Sequence, residues 1–308
     1  MLKVGIVGAG AMGCLFAAKL AEAGNEVLVA DHNAKTVSAI RKRGVGIREK
    51  GRVRRVRVSV GRSPGNFQDF DLVLVMVKSY STKAVARDLR GRVGTKSMIL
   101  TLQNGLGNVE TLTRRFGGKV LAGSTTEASL RLEPGLIEHT GRGLTLVGEL
   151  DGEKSGRVLG VVRSFNGAGF ETKLAGKVRN VVWSKAILNS AINPVSALTR
   201  LQNGQLERFE GVRELMQEIL EEGVRVAHAE GVRLRLGDLS RSLSRVLRAT
   251  AANRSSMLQD VLGCRRTEVR ELNGVIASLG RRHRIPTPTN TLLSSLVMGL
   301  EGSYERGR

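Results

Sequence analysis

The sequence predicts an α/β protein in which a doubly wound, mostly parallel sheet is followed by a second, all-helical domain. In the first half, short apolar runs alternate with helix-like segments, which is the pattern of βαβ units. After about residue 175, long segments instead carry apolar residues at three- and four-residue spacing. The length of 308 residues suits two domains. We therefore divide the chain into residues 1–175 and residues 176–308.

The first domain begins with a strand that is followed by a helix. Lys3–Val7 is a short apolar run, and Ala11–Ala23 carries small residues on the side that would face a sheet. Lys35–Arg43 is predicted as the second helix. Gly51–Val60 partly alternates apolar residues with arginine, which predicts an exposed edge hairpin rather than a nucleic-acid patch. The other predicted strands are Glu26–Ala30, Leu72–Val77, Met98–Leu102, Val120–Gly123 and Leu144–Val147.

The second domain is predicted from amphipathic helical patterns alone. Glycines and a Pro-Thr-Pro stretch at residues 286–288 separate the patterns. The predicted helices are Val181–Ser190, Glu207–Glu230, Leu239–Ala252, Thr267–Arg282 and Thr289–Leu300.

The chain is strongly basic, with 49 Lys and Arg residues against 28 Asp and Glu residues and a net charge of +21. Such a charge raises nucleic acid as a partner. However, the excess is divided between the two halves, at +13 for residues 1–175 and +8 for residues 176–308. Aromatic residues make up only 3 % of the chain, which is too few for a base-stacking surface. We therefore expect small anionic molecules, and not nucleic acid, as partners.

Composition and the first residues predict a cytoplasmic protein with no membrane partner. No run approaches the ~20 apolar residues that cross a bilayer, and the N-terminus enters the first strand without the layout of a signal peptide. The two cysteines, Cys14 and Cys264, are far apart, which excludes a disulfide scaffold or a zinc ribbon and favours a reducing compartment. Oligomeric state is not determined, and a homodimer stays open.

A glycine-rich loop joins the first strand to the first helix and has the pattern GxGxxG. Its first glycine permits a tight turn, the second lets backbone approach a pyrophosphate, and the third allows close helix–strand packing. The helix N-terminus then offers N–H groups to phosphates. This is the loop of a Rossmann-type dinucleotide-binding domain, and its residues are Gly8, Ala9, Gly10, Ala11, Met12 and Gly13.

Asp31 ends the second predicted strand, 21 residues after Gly10. A carboxylate at this position suits the two hydroxyls of an adenosine ribose and repels a 2′-phosphate. The sequence therefore favours NADH over NADPH, with Asp31 and His32 at the cofactor. The alternative is that His32, Lys35 or Arg41 clasps a 2′-phosphate.

Two further polar positions follow apolar runs. Lys78 follows the run 72–77, and Asn104 follows the run 98–102. Open α/β sheets bind ligands at the carboxyl ends of their strands, so both are candidate site residues. A solvated surface lysine and a simple Asn-Gly turn are the alternative interpretations.

Polar residues of the second domain form two groups. Lys185, Asn189 and, if the helix continues that far, Asn193 recur every four residues and would share one helix face. Because a solvated face normally carries charges rather than asparagines, this row predicts a binding surface. Ser256 belongs to a second polar segment, and Glu268 is placed at a helix start, where capping alone could explain a carboxylate.

Together these segments resemble the ketopantoate reductase (2-dehydropantoate 2-reductase) family over nearly the whole chain. Such enzymes reduce 2-dehydropantoate to (R)-pantoate in pantothenate and coenzyme A biosynthesis. Members that use NADPH tend to carry an arginine just after the second strand, where this chain has Asp31-His32. The matching segments are the glycine loop, Val77-Lys78, residues 103–108, Pro134-Gly135, residues 139–143, residues 183–185, Asn189, residues 192–194, residues 255–257, Gln259-Asp260, Thr267-Glu268 and Asn273-Gly274.

The resemblance implies roles for the candidate residues. Lys185 becomes the catalytic lysine and Glu268 the acid that binds the substrate hydroxyl, while Lys78 lies near cofactor and substrate. The implied substrate-binding residues are Asn104, Asn189, Asn193 and Ser256, of which Asn104 also lies at the cofactor. The implied cofactor is NADH or NADPH without a metal. The alternatives are another two-domain Rossmann hydroxyacid dehydrogenase, or a non-catalytic nucleotide sensor or nucleic-acid binder.

Overall fold

The computed structural model describes residues 1–63 and 67–304, which form two compact units. The first unit comprises Met1–Gln103 and Asn108–Val181, and the second comprises Asn104–Gly107 and Val182–Arg308. The short segment Asn104–Gly107, which the sequence predicts in the first domain, thus groups with the second unit. The predicted division at residue 175 stays a prediction.

The first unit contains all twelve strands of the described chain, and they form two sheets. The strands are β1 (Lys3–Val7), β2 (Glu26–Ala30), β3 (Val45–Glu49), β4 (Arg52–Val56), β5 (Ser59–Gly61), β6 (Leu72–Val75), β7 (Met98–Thr101), β8 (Val120–Thr125), β9 (Ala128–Glu133), β10 (Leu136–Gly141), β11 (Thr145–Glu149) and β12 (Thr172–Leu174). The helices of this unit are α1 (Ala11–Glu22), α2 (Ala34–Arg43), α3 (Thr82–Asp88), α4 (Asn108–Phe116) and α5 (Gly156–Gly167).

The larger sheet has eight strands in the order β12-β11-β8-β7-β6-β1-β2-β5. Every neighbouring pair is parallel except β8 and β11. Apolar side chains project from both faces of this sheet. Val4 and Ile6 pack in one core cluster, and Val73 and Val75 pack in another. Burial on both faces explains the near-continuous apolar runs of the central strands. The predicted doubly wound, mostly parallel sheet is confirmed.

The smaller sheet has four strands in the order β4-β3-β10-β9 and was not predicted from the sequence. The expected edge hairpin is confirmed for Arg52–Val56, which pairs antiparallel with β3 at the sheet edge. It is wrong for the residues beyond, because Ser59–Gly61 pairs parallel with β2 in the larger sheet. The strands β9 and β10 are largely half-exposed and contain polar residues. They therefore lack the buried apolar runs by which the other strands were predicted.

The second unit is built from helices, which confirms the predicted helical texture. The helix α6 (Val178–Thr199) runs well past the predicted end at Ser190 and contains Pro194. The predicted helix Thr267–Arg282 is wrong at its start, because Val269–Glu271 is a 3-10 turn. The remaining helices are α7 (Asn203–Leu206), α8 (Glu210–Ala229), α9 (Leu236–Ala249), α10 (Ser256–Leu262), α11 (Asn273–His283) and α12 (Pro288–Ser303). Within residues 1–63 and 67–304, no helix has the length and apolarity to cross a membrane.

Candidate active site

The glycine loop has the geometry of a dinucleotide site. Gly8 has a φ of +108°, and a Cβ there would lie 2.9 Å from the Met76 carbonyl carbon. A Cβ at Gly13 would lie 1.8 Å from the Gly8 carbonyl oxygen, so only glycine lets α1 start this close to β1. Gly10, in contrast, has open space around its Cβ position. The loop is thus closed towards the protein and open at the one glycine that must admit a pyrophosphate.

Asp31 is held against this loop. Its carboxylate accepts a hydrogen bond of 2.7 Å from the Ala9 N–H and one of 2.8 Å from the Asn33 N–H. Its side chain is only 13 % exposed, whereas that of the neighbouring His32 is 95 % exposed. The carboxylate therefore has a fixed direction beside the glycine loop, as required for binding ribose hydroxyls.

A buried polar network joins the ends of β6 and β7, where Lys78 lies. The Gln103 amide Nε2 donates to the Val77 carbonyl and to the Thr82 hydroxyl, both at 2.8 Å. The Thr82 hydroxyl in turn donates to Asn108 at 2.7 Å. Lys78 is half-buried and begins a 3-10 turn at the end of the strand. Its place at this carboxyl end is as expected, and its contact with a ligand stays a prediction.

The segment that carries Asn104 packs against the segment that carries Glu268. The Leu106 N–H donates to the Glu271 carbonyl at 2.9 Å. Gly105 has a φ of +81°, and a Cβ there would lie 2.6 Å from the same carbonyl oxygen. The chain therefore bends at the Asn-Gly pair, and this bend belongs to the second unit together with the Glu268 segment.

The helix α6 presents the predicted polar row. It continues through residue 193, so Lys185, Asn189 and Asn193 lie on one face at successive four-residue intervals. Lys185 and Asn189 are half-buried, and Asn193 is buried at 6 % exposure. The shared face of the three residues is thus established, whereas their binding roles stay predictions.

Lys185 and Glu268 are close enough to interact electrostatically. Burial lowers the pKa of Lys185 to about 8, and the Glu268 carboxylate acts in the opposite direction and raises it. Glu268 is buried at 7 % exposure and occupies the N-cap position of the 3-10 turn, where its side chain makes no capping hydrogen bond. An ammonium with a pKa near 8 is a far better proton donor at neutral pH than an ordinary lysine.

Glu301 holds the Glu268 segment in place, and this residue is not predicted from the sequence. Its carboxylate accepts hydrogen bonds from the Thr267 N–H at 2.8 Å, from the Thr267 hydroxyl at 2.6 Å and from Arg270 at 2.8 Å. Although burial raises its pKa, these hydrogen bonds hold the pKa of Glu301 below its ordinary value. The contact spans 34 residues of chain, so no local pattern could have revealed it.

Two further residues of this region, Glu271 and Ser256, bear on the predicted site. Glu271 was not singled out, yet burial raises its pKa, and its Oε2 has no hydrogen-bond partner among the described residues. Ser256 is the first residue of α10 and is exposed, and its neighbour Ser255 is the residue that caps the helix. A substrate role for Ser256 stays a prediction.

The chemistry of these residues fits a nicotinamide dinucleotide and a small polar substrate. The glycine loop, the α1 N-terminus and Asp31 match the pyrophosphate and adenosine ribose of the cofactor. The described residues contain no group of His, Cys, Asp and Glu side chains arranged to hold a metal ion.

Two family models match the chain in succession. Ketopantoate reductase PanE/ApbA matches residues 4–152, and Ketopantoate reductase PanE/ApbA C terminal matches residues 177–301. The chain belongs to the ketopantoate reductase family. It is 37 % identical over 298 residues to the 2-dehydropantoate 2-reductase of Halobacterium salinarum, covering 96 % of this chain and 98 % of that relative.

Solved structures agree with this membership. A PanE/ApbA family ketopantoate reductase from Ralstonia eutropha superposes with a TM-score of 0.90 at 34 % identity, over 99 % of this chain and 100 % of that one. A ternary D-mandelate dehydrogenase structure with NADH and anilino(oxo)acetate has a TM-score of 0.92 at 22 % identity, over 99 % and 100 % of the two chains. The latter likeness establishes a shared fold.

Proposed function

We propose that this ketopantoate reductase family member reduces 2-dehydropantoate to (R)-pantoate with a nicotinamide dinucleotide. The observation that carries the proposal is the half-buried Lys185, which lies on one helix face with two asparagines and interacts with Glu268. Full-length similarity to a curated 2-dehydropantoate 2-reductase supports the substrate.

Reduction of a 2-keto acid requires a hydride on the carbonyl carbon and a proton on the carbonyl oxygen. The bound cofactor supplies the hydride. Lys185 supplies the proton, and its positive charge stabilises the alkoxide that develops in the transition state. Because burial lowers its pKa to about 8, the ammonium gives up this proton with a smaller energetic penalty than a solvated lysine.

The remaining groups orient the substrate without competing for that proton. Carboxamides such as Asn189 and Asn193 can donate to the substrate carboxylate, and Asn104 lies on the loop that packs beside the Glu268 segment. Glu268 accepts a hydrogen bond from the substrate hydroxyl, which selects a 2-keto acid that carries one.

The proposal is tested with purified protein, ketopantoate and NADH or NADPH, by following nicotinamide oxidation. Phenylglyoxylate and 3,3-dimethyl-2-oxobutanoate serve as comparison substrates, since both are 2-keto acids without the hydroxyl. We expect ketopantoate to have the highest kcat/KM. A higher kcat/KM with either comparison substrate would assign the chain to another hydroxyacid dehydrogenase.

The pH dependence of kcat follows from the sign of the Lys185 shift. A proton donor must be protonated, so kcat for reduction falls as the pH rises through about 8. The fall is about tenfold per pH unit well above that value. Lys185→Arg keeps the charge with a group that stays protonated, so any residual activity should lose this alkaline limb. An unchanged limb in that variant would assign the titration to another group.

Asp31 should set a preference for NADH. A 2′-phosphate brought to ~4 Å from the carboxylate is repelled by at least about 1 kcal/mol, even in a water-like dielectric. Asp31→Asn retains an acceptor for the Ala9 N–H and removes the charge. We expect the ratio of kcat/KM for NADH to that for NADPH to fall at least about fivefold.

Glu26→Gln is the matched control for the cofactor test, because it removes the charge of an exposed carboxylate at the opposite end of the same strand. Its cofactor ratio should stay near that of the unmodified protein. A clear preference for NADPH in the unmodified protein would instead indicate that His32, Lys35 or Arg41 binds the phosphate.

A further inference from the structure

The helix α6 carries a proline, Pro194, directly after Asn193, the last residue of its polar row. Pro194 has no N–H, so the carbonyl four residues earlier, at Ser190, has lost its intrahelical donor. Ser190 is fully buried at 0 % exposure. A buried carbonyl without a donor is strongly unfavourable, so the fold must supply one from elsewhere.

Asn273 is that donor. Its Nδ2 lies 3.0 Å from the Ser190 carbonyl oxygen, and Asn273 is itself 0 % exposed at the start of α11. The same Nδ2 donates to Asn290 Oδ1 at 3.0 Å. A side-chain amide thus replaces the backbone hydrogen bond that Pro194 removes.

The orientation of this amide is set by a buried carboxylate. Glu222 on α8, at 3 % exposure, accepts from the Asn290 side chain at 2.7 Å and from the N–H groups of Thr289 and Asn290, both at 2.9 Å. Because the Asn290 Nδ2 is bound to Glu222, its Oδ1 faces Asn273 and must accept. The Asn273 Nδ2 is therefore directed at Asn290 and at Ser190, and a flipped amide would break both hydrogen bonds.

This hydrogen bond lies next to the proposed site. Ser190 lies between Asn189 and Asn193 on α6, and Asn273 follows Glu268 by five residues. We propose that Asn273 is a positioning residue. Its amide replaces the hydrogen bond lost at Pro194 and so holds the helix face of Lys185, Asn189 and Asn193 in a fixed position relative to Glu268. The role in turnover rests on the proposed function.

The test begins with Asn273→Asp, which keeps the shape and removes both donors. A carboxylate oxygen would then face the Ser190 carbonyl and the Asn290 Oδ1. We expect kcat for ketopantoate to fall at least about tenfold and KM to rise. Because looser packing hydrates Lys185 and raises its pKa, the alkaline limb of kcat should move to higher pH. Affinity for NADH, measured by fluorescence, should stay unchanged because the glycine loop is intact.

Asn166→Asp is the matched control. The Asn166 Nδ2 also donates to two acceptors, the carbonyl oxygens of Val162 and Thr172, both at 2.9 Å, and Asn166 belongs to the first unit whereas Asn273 belongs to the second. It should lower the melting temperature and leave kcat, KM and the pH profile unchanged. If Asn273→Asp behaves in the same way, Asn273 is merely structural and the inference is overturned.

Pro194→Ala provides the decisive comparison, because alanine restores an N–H for Ser190. In this background, the kcat loss caused by Asn273→Asp should shrink at least about threefold, and the unfolding free energies should be non-additive. Asn273→Ala replaces the aspartate variant if that does not fold. Additive unfolding free energies overturn the inference even if ketopantoate is reduced. Coupled free energies without any ketopantoate turnover support the hydrogen-bond replacement and overturn the proposed function instead.

Discussion

Lys185→Ala is expected to lower kcat for ketopantoate reduction by roughly 10²–10⁴, the usual contribution of a general acid or base. The variant loses both the proton donor and the positive charge beside the developing alkoxide. Its KM should change much less than kcat, since the asparagines that orient the substrate remain. Steady-state kinetics with ketopantoate below pH 8 measure both parameters while the unmodified lysine is protonated.

Lys177→Ala is the control for this prediction, because Lys177 is exposed just before the same helix begins. It makes the same chemical change and should leave kcat unaltered. Dinucleotide binding should be normal in both variants. A folded Lys185→Ala protein with near-normal kcat would show that the lysine is structural.

Glu268→Ala is expected to act mainly on KM. A hydrogen bond to a charged group contributes about 1.5–3 kcal/mol, so KM for ketopantoate should rise by roughly 10–150-fold. With 3,3-dimethyl-2-oxobutanoate, which lacks the hydroxyl, the same substitution should have little effect. Lys185→Ala, in contrast, should impair both substrates equally.

The Glu268 variant also has a predicted pH signature. Because the carboxylate raises the pKa of Lys185, its removal lowers that pKa below about 8, and the alkaline limb of kcat moves to lower pH. Glu214→Ala, at an exposed acid on α8, should change neither KM nor the limb. A Glu268→Ala protein with unchanged KM and an unshifted limb would contradict both roles.

Most of the first unit could be predicted because its signals are local. The central strands are buried on both faces and therefore read as apolar runs, and the junction of β1 with α1 requires glycine at Gly8 and Gly13. The smaller sheet gave no such signal. Its strands β9 and β10 form a local hairpin of half-exposed residues across Pro134-Gly135, which contains no buried apolar run. The pairing of β10 with β3 joins segments that are about ninety residues apart, and no local pattern reveals it.

The sequence predicted the residues of the candidate site but not the residues that hold them in place. Four-residue spacing sufficed to place Lys185, Asn189 and Asn193 on one face once the helix extended through Pro194. Glu268 was assigned to a helix start, whereas the helix begins only at Asn273. The reason is that Thr267 donates two hydrogen bonds to Glu301. The conformation of the chain before α11 therefore depends on a distant carboxylate and not on the local helical pattern.

The sequence by itself determined the chemistry: a dinucleotide loop, a carboxylate after the second strand, and a lysine among asparagines on one helix face. The tertiary structure alone decided which of these groups act on one another and what their environment is. Folding buries Lys185 and so lowers its pKa to about 8, although the nearby Glu268 raises it. The Ser190 carbonyl accepts a hydrogen bond from Asn273, 83 residues away. Burial and hydrogen bonds across such separations depend on how helices pack, which no local pattern of residues encodes.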